Sequence, residues 1–277
     1  MLTARFVVRP DRFVLHTNLK AAGGREWECA RSLVTELRYR STKHGFRFNR
    51  QFILYAPHRA DILRLQVLQA EGGIYFDHDA YALRPLDALR RRSPPVVAAR
   101  EDWGGVSKIS NGVILAAPGQ PFVRRWLEGF NDYRRQPRDY NGCVKPFALY
   151  QEAPCNLSLA PSVRPPGQSA SAVEAAAALE TLDVVHLTGL NGRAGPRWEQ
   201  ARAACLLHRI LARVPQPTLE DVRRGNCTPG FFGGCWGAAR PWETARLELW
   251  RGCRRGVRAF LDEAFPTCAA RFPERAG

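Results

Sequence analysis

Two carboxylates, Asp77 and Asp79, stand two residues apart directly after the apolar run Ile74-Tyr75-Phe76. Hard oxygen ligands held at a strand end suit Mg²⁺ or Mn²⁺, ions that keep coordination positions for phosphate oxygens. A departing diphosphate needs such a cation to take up its developing charge. A solvated turn can also carry Asp-x-Asp, so the pair gains meaning only from its surroundings. Upstream, Asp61 and Arg64 are three apart and share one helix face. They read either as a solvated ion pair or as a carboxylate and a planar guanidinium that fix several ligand oxygens at once. Asn111 offers an amide that either binds a ligand or caps a strand end. His186 lies on a late strand and is either a further metal ligand or a structural histidine. Trp103 and Trp126 have ring faces for stacking, and the helical spacing of Trp126 also suits a core position.

The elements around these residues carry their own signals. Ile62, Leu63, Leu65, Val67 and Leu68 recur at helical spacing, predicting a helix from His58 that Gly72-Gly73 ends. The run Ile74 to Phe76 then reads as a short buried strand. It delivers the Asp pair at the carboxyl edge of a sheet, where open α/β sheets bind ligands. The pattern predicts strands at Arg12–Thr17, Phe52–Tyr55, Val96–Ala99, Ile109–Ala116 and Leu182–Leu187. It predicts helices at Trp27–Tyr39 and Phe122–Phe130. Pro161 to Ala178 reads as a loop leading into a short helix. The Gly-, Trp- and Cys-rich run from Asn226 to Trp242 matches no motif.

From Ala60 to Asp79 the chain resembles the pattern A-D-x-x-R-x-x-x-L-x-x-x-G-G-I-Y-x-D-x-D. The matching positions are Ala60, Asp61, Arg64, Leu68, Gly72, Gly73, Ile74, Tyr75, Asp77 and Asp79. This is the pattern of the DXD-containing sugar transferases of glycosyltransferase family 32. Leu83 to Asp87, Ser110 to Ile114 and Tyr140 to Leu149 are similar to later family segments. The resemblance implies an α/β, GT-A-like nucleotide-diphospho-sugar transferase fold over residues 1–200. A Cys-containing helical extension is expected over 201–277. It further implies a hexosyltransferase with a nucleoside diphosphate sugar donor, UDP-linked, and a glycan or glycolipid acceptor. Mn²⁺ (or Mg²⁺) dependence and retention of configuration come with it. Asp79, Asp77 and His186 become metal-site residues, and Asp61, Arg64, Asp77 and Asn111 become donor-sugar-binding residues. The resemblance supplies no nucleophile.

Two departures qualify this reading. Only about forty residues separate the first strand from Asp61, so the amino-terminal region looks shortened. Gly142-Cys143 stands where the family has a small polar residue. Both features leave open an inactive relative acting as a lumenal binding or scaffold protein. A phosphatase of the Asp-x-Asp-x-Thr type is disfavoured, because Tyr81 occupies the Thr position.

Composition narrows the classes further. The 277 residues, 45% of them apolar, suffice for a sizeable core. The formal charge of +15 invites an acidic polymer as partner, yet lysines number only four of 41 basic residues and the arginines are dispersed. No nucleic acid is expected. Eight cysteines form no C-x-x-C pair, which disfavours zinc ribbons, and five lie after residue 200, suggesting a disulfide-stapled tail. Sequons at Asn156 and Asn226 agree with the Golgi or secretory lumen that the family implies. The chain has no run near the ~20 apolar residues of a membrane span and no signal-peptide core, so a membrane anchor is expected to be absent from it.

Overall fold

The structure, a computed structural model, describes residues 1–19, 23–40, 46–103, 105–164, 180–187, 205–207, 209–223 and 241–264. The chain divides into two compact units. One comprises Met1–Ser41, Tyr81–Pro85 and Gly189–Gly277, and the other Thr42–Ala80 and Leu86–Thr188. The expected domain division at residue 200 falls outside the described residues.

After a π-helical turn at Ala4–Val8, the first unit continues with β1 (Val14–Thr17), α1 (Arg25–Leu33) and β2 (Glu36–Tyr39), and the two strands pair in parallel from Val14↔Glu36 to Thr17↔Tyr39. The helix expected over Trp27–Tyr39 therefore stops at Leu33, and its second half is a strand. Thr35 explains the break. Its backbone N–H donates to Phe13 O at 2.8 Å. Its hydroxyl accepts from Phe13 N–H at 2.8 Å, offering a pairing that competes with the helix.

The second unit begins with a tight hairpin of β3 (Arg47–Phe48) and β4 (Gln51–Phe52), turned by Asn49 at φ 51°. The strand expected over Phe52–Tyr55 is thus cut to its first residue, Phe52. Ile53 leaves the hairpin to become fully buried. Helix α2 (Ala56–Glu71) starts two residues earlier than expected, with Pro57 in its first turn. Gly72, at φ 66°, ends it, and its N–H donates to Leu68 O at 2.9 Å. In chain order next come β5 (Gly73–Phe76), β6 (Ala80–Ala82, its last two residues in the first unit), α3 (Asp87–Arg90), β7 (Val96–Trp103) and β8 (Val106–Ala116). They are followed by α4 (Pro121–Glu128), α5 (Lys145–Glu152), β9 (Ser158–Leu159), β10 (Val163–Arg164) and β11 (Val184–His186).

The main sheet runs β5-β8-β7-β9, antiparallel except for the last pair. Strand β10 pairs in parallel with β11. One core joins this sheet to α2, α4 and α5 through Ile62, Leu65, Ile114, Trp126 and Phe130, all almost fully buried. Trp126 is therefore a core residue. The side chain of Trp103, most of the loop expected over Pro161–Ala178 and the run 226–240 lie outside the described residues. The chain is α/β, as the sequence led one to expect.

The carboxyl-terminal elements of the first unit are α6 (Leu219–Arg223) and α7 (Pro241–Ala264), in line with the helical extension. Cys29 on α1 and Cys253 on α7 form a disulfide, so the staple ties the tail to the amino-terminal region. Trp250 Nε1 and Arg246 Nη2 donate to Ser32 O at 3.0 and 2.8 Å, satisfying a carbonyl at the open end of α1. No described helix is long and apolar enough to cross a membrane.

Candidate functional site

The site residues all belong to the second unit. On α2, Asp61 and Arg64 sit one turn apart and meet, Arg64 Nη2 lying 3.0 Å from Asp61 Oδ1. Both are buried, which rules out the solvated surface pair. From β8, Asn111 Nδ2 donates to Asp61 Oδ1 at 2.9 Å, and Arg64 Nη1 donates to the Asn111 carbonyl. The guanidinium also lies over the Tyr75 ring, 4.3 Å from its centroid. Tyr75 Oη donates to Asp77 Oδ1 at 2.6 Å, and Arg64 Nη1 is 3.4 Å from the same oxygen. Asp61, Arg64, Asn111 and Asp77 thus join one hydrogen-bonded network, with Tyr75 as a member that composition did not single out.

Burial raises the Asp61 carboxyl above its usual range, and Arg64 only partly opposes this. Burial also works against the Arg64 charge, but Tyr75, Asp77 and Asp61 outweigh it and hold the guanidinium firmly protonated. The phenol of Tyr75 is pushed up by burial and stays a donor.

Strand β5 ends at Phe76, and Asp77 N–H donates to Gly112 O at 2.7 Å, extending the ladder by one bond. Asp79 then meets His186 from β11: His186 Nε2 donates to Asp79 Oδ1 at 2.8 Å and stands 3.8 Å from Asp77 Oδ2. A backbone bond from Leu187 N–H to Asp79 O at 2.9 Å fixes the two segments together. Burial pushes the Asp79 carboxyl up, but the hydrogen bond and charge of His186 overcome this and hold it below its ordinary value.

The three ligand atoms of Asp77, Asp79 and His186 lie within 4.8 Å of one another. Two carboxylate oxygens and an imidazole nitrogen form a donor set that a divalent cation accepts. Gly112 leaves the room: a Cβ there would lie 2.4 Å from the His186 ring and 3.1 Å from Asp77 Oδ2. His186 Nδ1 is buried and without a hydrogen-bond partner among the described residues. The residues present fit a divalent cation.

A second glycine makes room for the Asp61–Asn111 pair. A Cβ at Gly142 would lie 2.7 Å from Asn111 Nδ2 and 2.9 Å from Asp61 Oδ2. The departure at Gly142-Cys143 is therefore a close packing against the two polar side chains. Asn141 holds this segment in register, its amide donating to Arg134 O at 2.5 Å while Trp126 Nε1 donates to Asn141 O at 3.2 Å. Beside it the Cys143 thiol is pushed up by burial and stays protonated. His58, also buried, bridges Tyr133 Oη and Arg138 O at 2.7 and 2.6 Å, which is a structural task.

Sequence reasoning gave no site role to Tyr75, Gly112 or Gly142, although Tyr75 stands in the pattern and Gly142 in a departure from it. For Tyr75 the signal existed, because residues 75 and 77 alternate onto the same face of a strand. The two glycines have no sequence signal, since the atoms they make room for come from residues far along the chain.

Residues 27–95 match the family model described as a glycosyltransferase sugar-binding region containing a DXD motif. Glucan organizing enzyme 1 of Cryptococcus neoformans var. grubii is 30% identical over 110 residues, 37% of this chain and 29% of that protein. O-glycosyltransferase braB of Annulohypoxylon truncatum is 35% identical over 81 residues, 26% of this chain and 19% of that one. The chain thus spans less than a third of either relative's length. Among solved structures, PaToxG Glycosyltransferase superposes with a TM-score of 0.38 at 14% identity, over 93% of this chain and 78% of its own.

Proposed function

We propose, from the match of residues 27–95 to the sugar-binding region containing a DXD motif, that this chain moves a hexose from a nucleoside diphosphate sugar, UDP-linked, to a glycan or glycolipid acceptor. The observation that carries the reading is the convergence of Asp77, Asp79 and His186. These three would hold Mn²⁺ or Mg²⁺, which supplies positive charge for the departing diphosphate. Asp61, Arg64, Asn111 and Asp77 would orient the hydroxyls of the donor sugar. Arg64 suits that work because its fork is already fixed by Asp61 and Tyr75 and cannot lose its charge.

Reaction with retention of configuration is part of the same reading and rests on the family alone. The names of the two fungal relatives, one a glucan enzyme and the other an O-glycosyltransferase, support a carbohydrate-modifying role. A Golgi or secretory location agrees with the Cys29–Cys253 disulfide, since such bonds persist in oxidising compartments.

Calorimetric titration of UDP into the purified chain, with and without Mn²⁺, tests the reading. Wild type should bind UDP in a metal-dependent way. Asp79→Ala should lose about 10-fold or more, the effect of removing a hydrogen-bonded charged ligand. Equal, metal-independent binding by both proteins would overturn the donor site.

A further inference from the structure

The hairpin β3–β4 and the chain that leaves it carry a surface that the transferase site does not use. From residue 37 to residue 60 the sequence holds no Asp or Glu, while Arg47, Arg50 and Arg59 fall on this stretch. Leu54 is 77% exposed and Phe52 49%, although Ile53 between them is fully buried. Two apolar side chains thus stand outward on either side of a buried plug. The exposure belongs to an anchored element. Ile53 N–H donates to Phe46 O at 2.8 Å and closes the hairpin. Gln51 Nε2 donates to Asn131 O at 2.7 Å, and the Asn49 amide bonds the Asn131 side chain. Phe48 meets the buried Phe130 edge-on, with ring centroids 6.4 Å apart. The hairpin is therefore fixed to the turn Gly129–Asp132.

Arginines surround the apolar pair. The Arg47 guanidinium lies over the Phe52 ring, 3.8 Å from its centroid. Arg59 Nη2 donates to Leu54 O at 3.1 Å. Arg138 lies 5.0 Å from the centroid of the Tyr55 ring, and Arg50 is exposed at the hairpin turn. Among the described residues none of these four makes an ion pair. On the flanking stretch 129–138 the acid Asp132 is outnumbered by Arg134, Arg135 and Arg138.

Guanidinium groups around protruding apolar side chains suit one kind of partner. An anionic bilayer offers headgroup charge to the arginines and an acyl boundary to Phe52 and Leu54. A nucleic acid or an acidic glycan would satisfy the arginines and leave Leu54 in water. We infer that the β3–β4 hairpin docks the protein on an anionic membrane surface. Phe52 and Leu54 enter the headgroup layer, and Arg47, Arg50, Arg59 and Arg138 meet the lipid charges. Each arginine near such a surface strengthens binding by about 5-fold. Through Ile53 the hairpin continues into α2, so the helix that carries Asp61 and Arg64 is held at the membrane. The inference does not rest on the transferase reading, because docking needs neither metal nor nucleotide.

Sedimentation of the purified full chain with vesicles is the test. One set is phosphatidylcholine alone, and the other carries about one third phosphatidylserine to supply the negative surface potential. Wild type should bind the anionic vesicles about 10-fold or more tighter than the neutral ones, and should lose that binding at about 1 M salt, where charges are screened. Leu54→Ser should weaken vesicle binding by about 10-fold, the effect of a leucine that no longer leaves water. The double variant Arg47→Gln, Arg50→Gln should weaken it by about 10-fold or more. Heparin affinity should fall in the arginine variant and stay unchanged in Leu54→Ser. These side chains are exposed, so both variants should melt with wild type.

A wild type that ignores anionic vesicles, or binds neutral ones equally well, would overturn the inference. So would a Leu54→Ser that binds vesicles like wild type, which would leave an acidic polymer as the partner of the arginines. Vesicle binding unchanged in both variants would move docking to another face and overturn it too. Failure of wild type to bind Mn²⁺–UDP removes the donor reading and leaves this one standing.

Discussion

Gly112 has no side chain because the His186 ring fills the space that a Cβ would take. Gly112→Ala should therefore push His186 off the Asp pair and lower Mn²⁺ affinity by about 10-fold or more, with the strand pairing kept. Loss of one charge-assisted contact gives that magnitude. Calorimetric Mn²⁺ titration checks it, and unchanged affinity would mean that His186 is not a ligand. The sequence pointed to His186 only through its place on a late strand, and nothing in it pointed to Gly112.

Glu101, on β7 and only 8% exposed, gives a second prediction at this scale. Burial raises its carboxyl above the ordinary 4.5, against the opposing charges of Lys108 and His186 and with Asp139 adding to the rise. Below about 4.5, the ordinary value for a glutamate, folded and unfolded chains both hold the proton, so burial costs nothing there. As pH rises, the unfolded chain ionises first and the folded state loses stability until Glu101 itself ionises. The melting advantage of Glu101→Gln should therefore be absent near pH 4 and present at pH 7. Melting curves at the two pH values measure it, and an advantage that shrinks with rising pH would contradict the assigned direction.

At the scale of elements, α2 and β5 were legible because their signals are local: an apolar face, two glycines and an apolar strand lie within some twenty residues. Gly72 shows what a glycine does at that junction. It holds φ 66° and ψ −162°, a region open essentially to glycine, and a Cβ would lie 2.7 Å from Pro118. Gly72→Ala should cost about 1–3 kcal/mol in denaturant unfolding. A variant as stable as wild type would mean that the α2–β5 junction relaxes freely. Strand β2 was not legible, because it exists through its pairing with β1, and the local sequence after Trp27 is as good a helix as a strand. Likewise Phe52 and Ile53 read as a strand but serve as a hairpin end and a buried plug. The convergence of Asp79 with His186, 107 residues apart, is equally non-local. Sequence could nominate each partner, and only the fold brings them together.

For the molecule as a whole, composition suggested a disulfide-stapled tail but left the pairing open. Cys29–Cys253 joins residues 224 apart in sequence. Around it, Phe6 meets Trp250 edge-on at 5.4 Å, and Arg5 lies over the same ring at 5.1 Å. Arg5 Nη2 donates to Asp221 O at 2.7 Å. The first unit is therefore built from sequence-distant segments, and little of its core exists in any one of them. An unfolded chain gains most freedom when so long a loop is opened, and removal of a native disulfide typically costs about 2–5 kcal/mol. Cys29→Ser should lower the melting temperature clearly, and a reducing agent should lower it further in wild type than in the variant, which keeps the disulfide of Cys205. If reduction leaves wild type unchanged, the aromatic and arginine contacts around Trp250 alone hold α1 to α7. If Cys29→Ser melts below oxidised wild type without reductant in either sample, the Cys29–Cys253 tie supplies the difference.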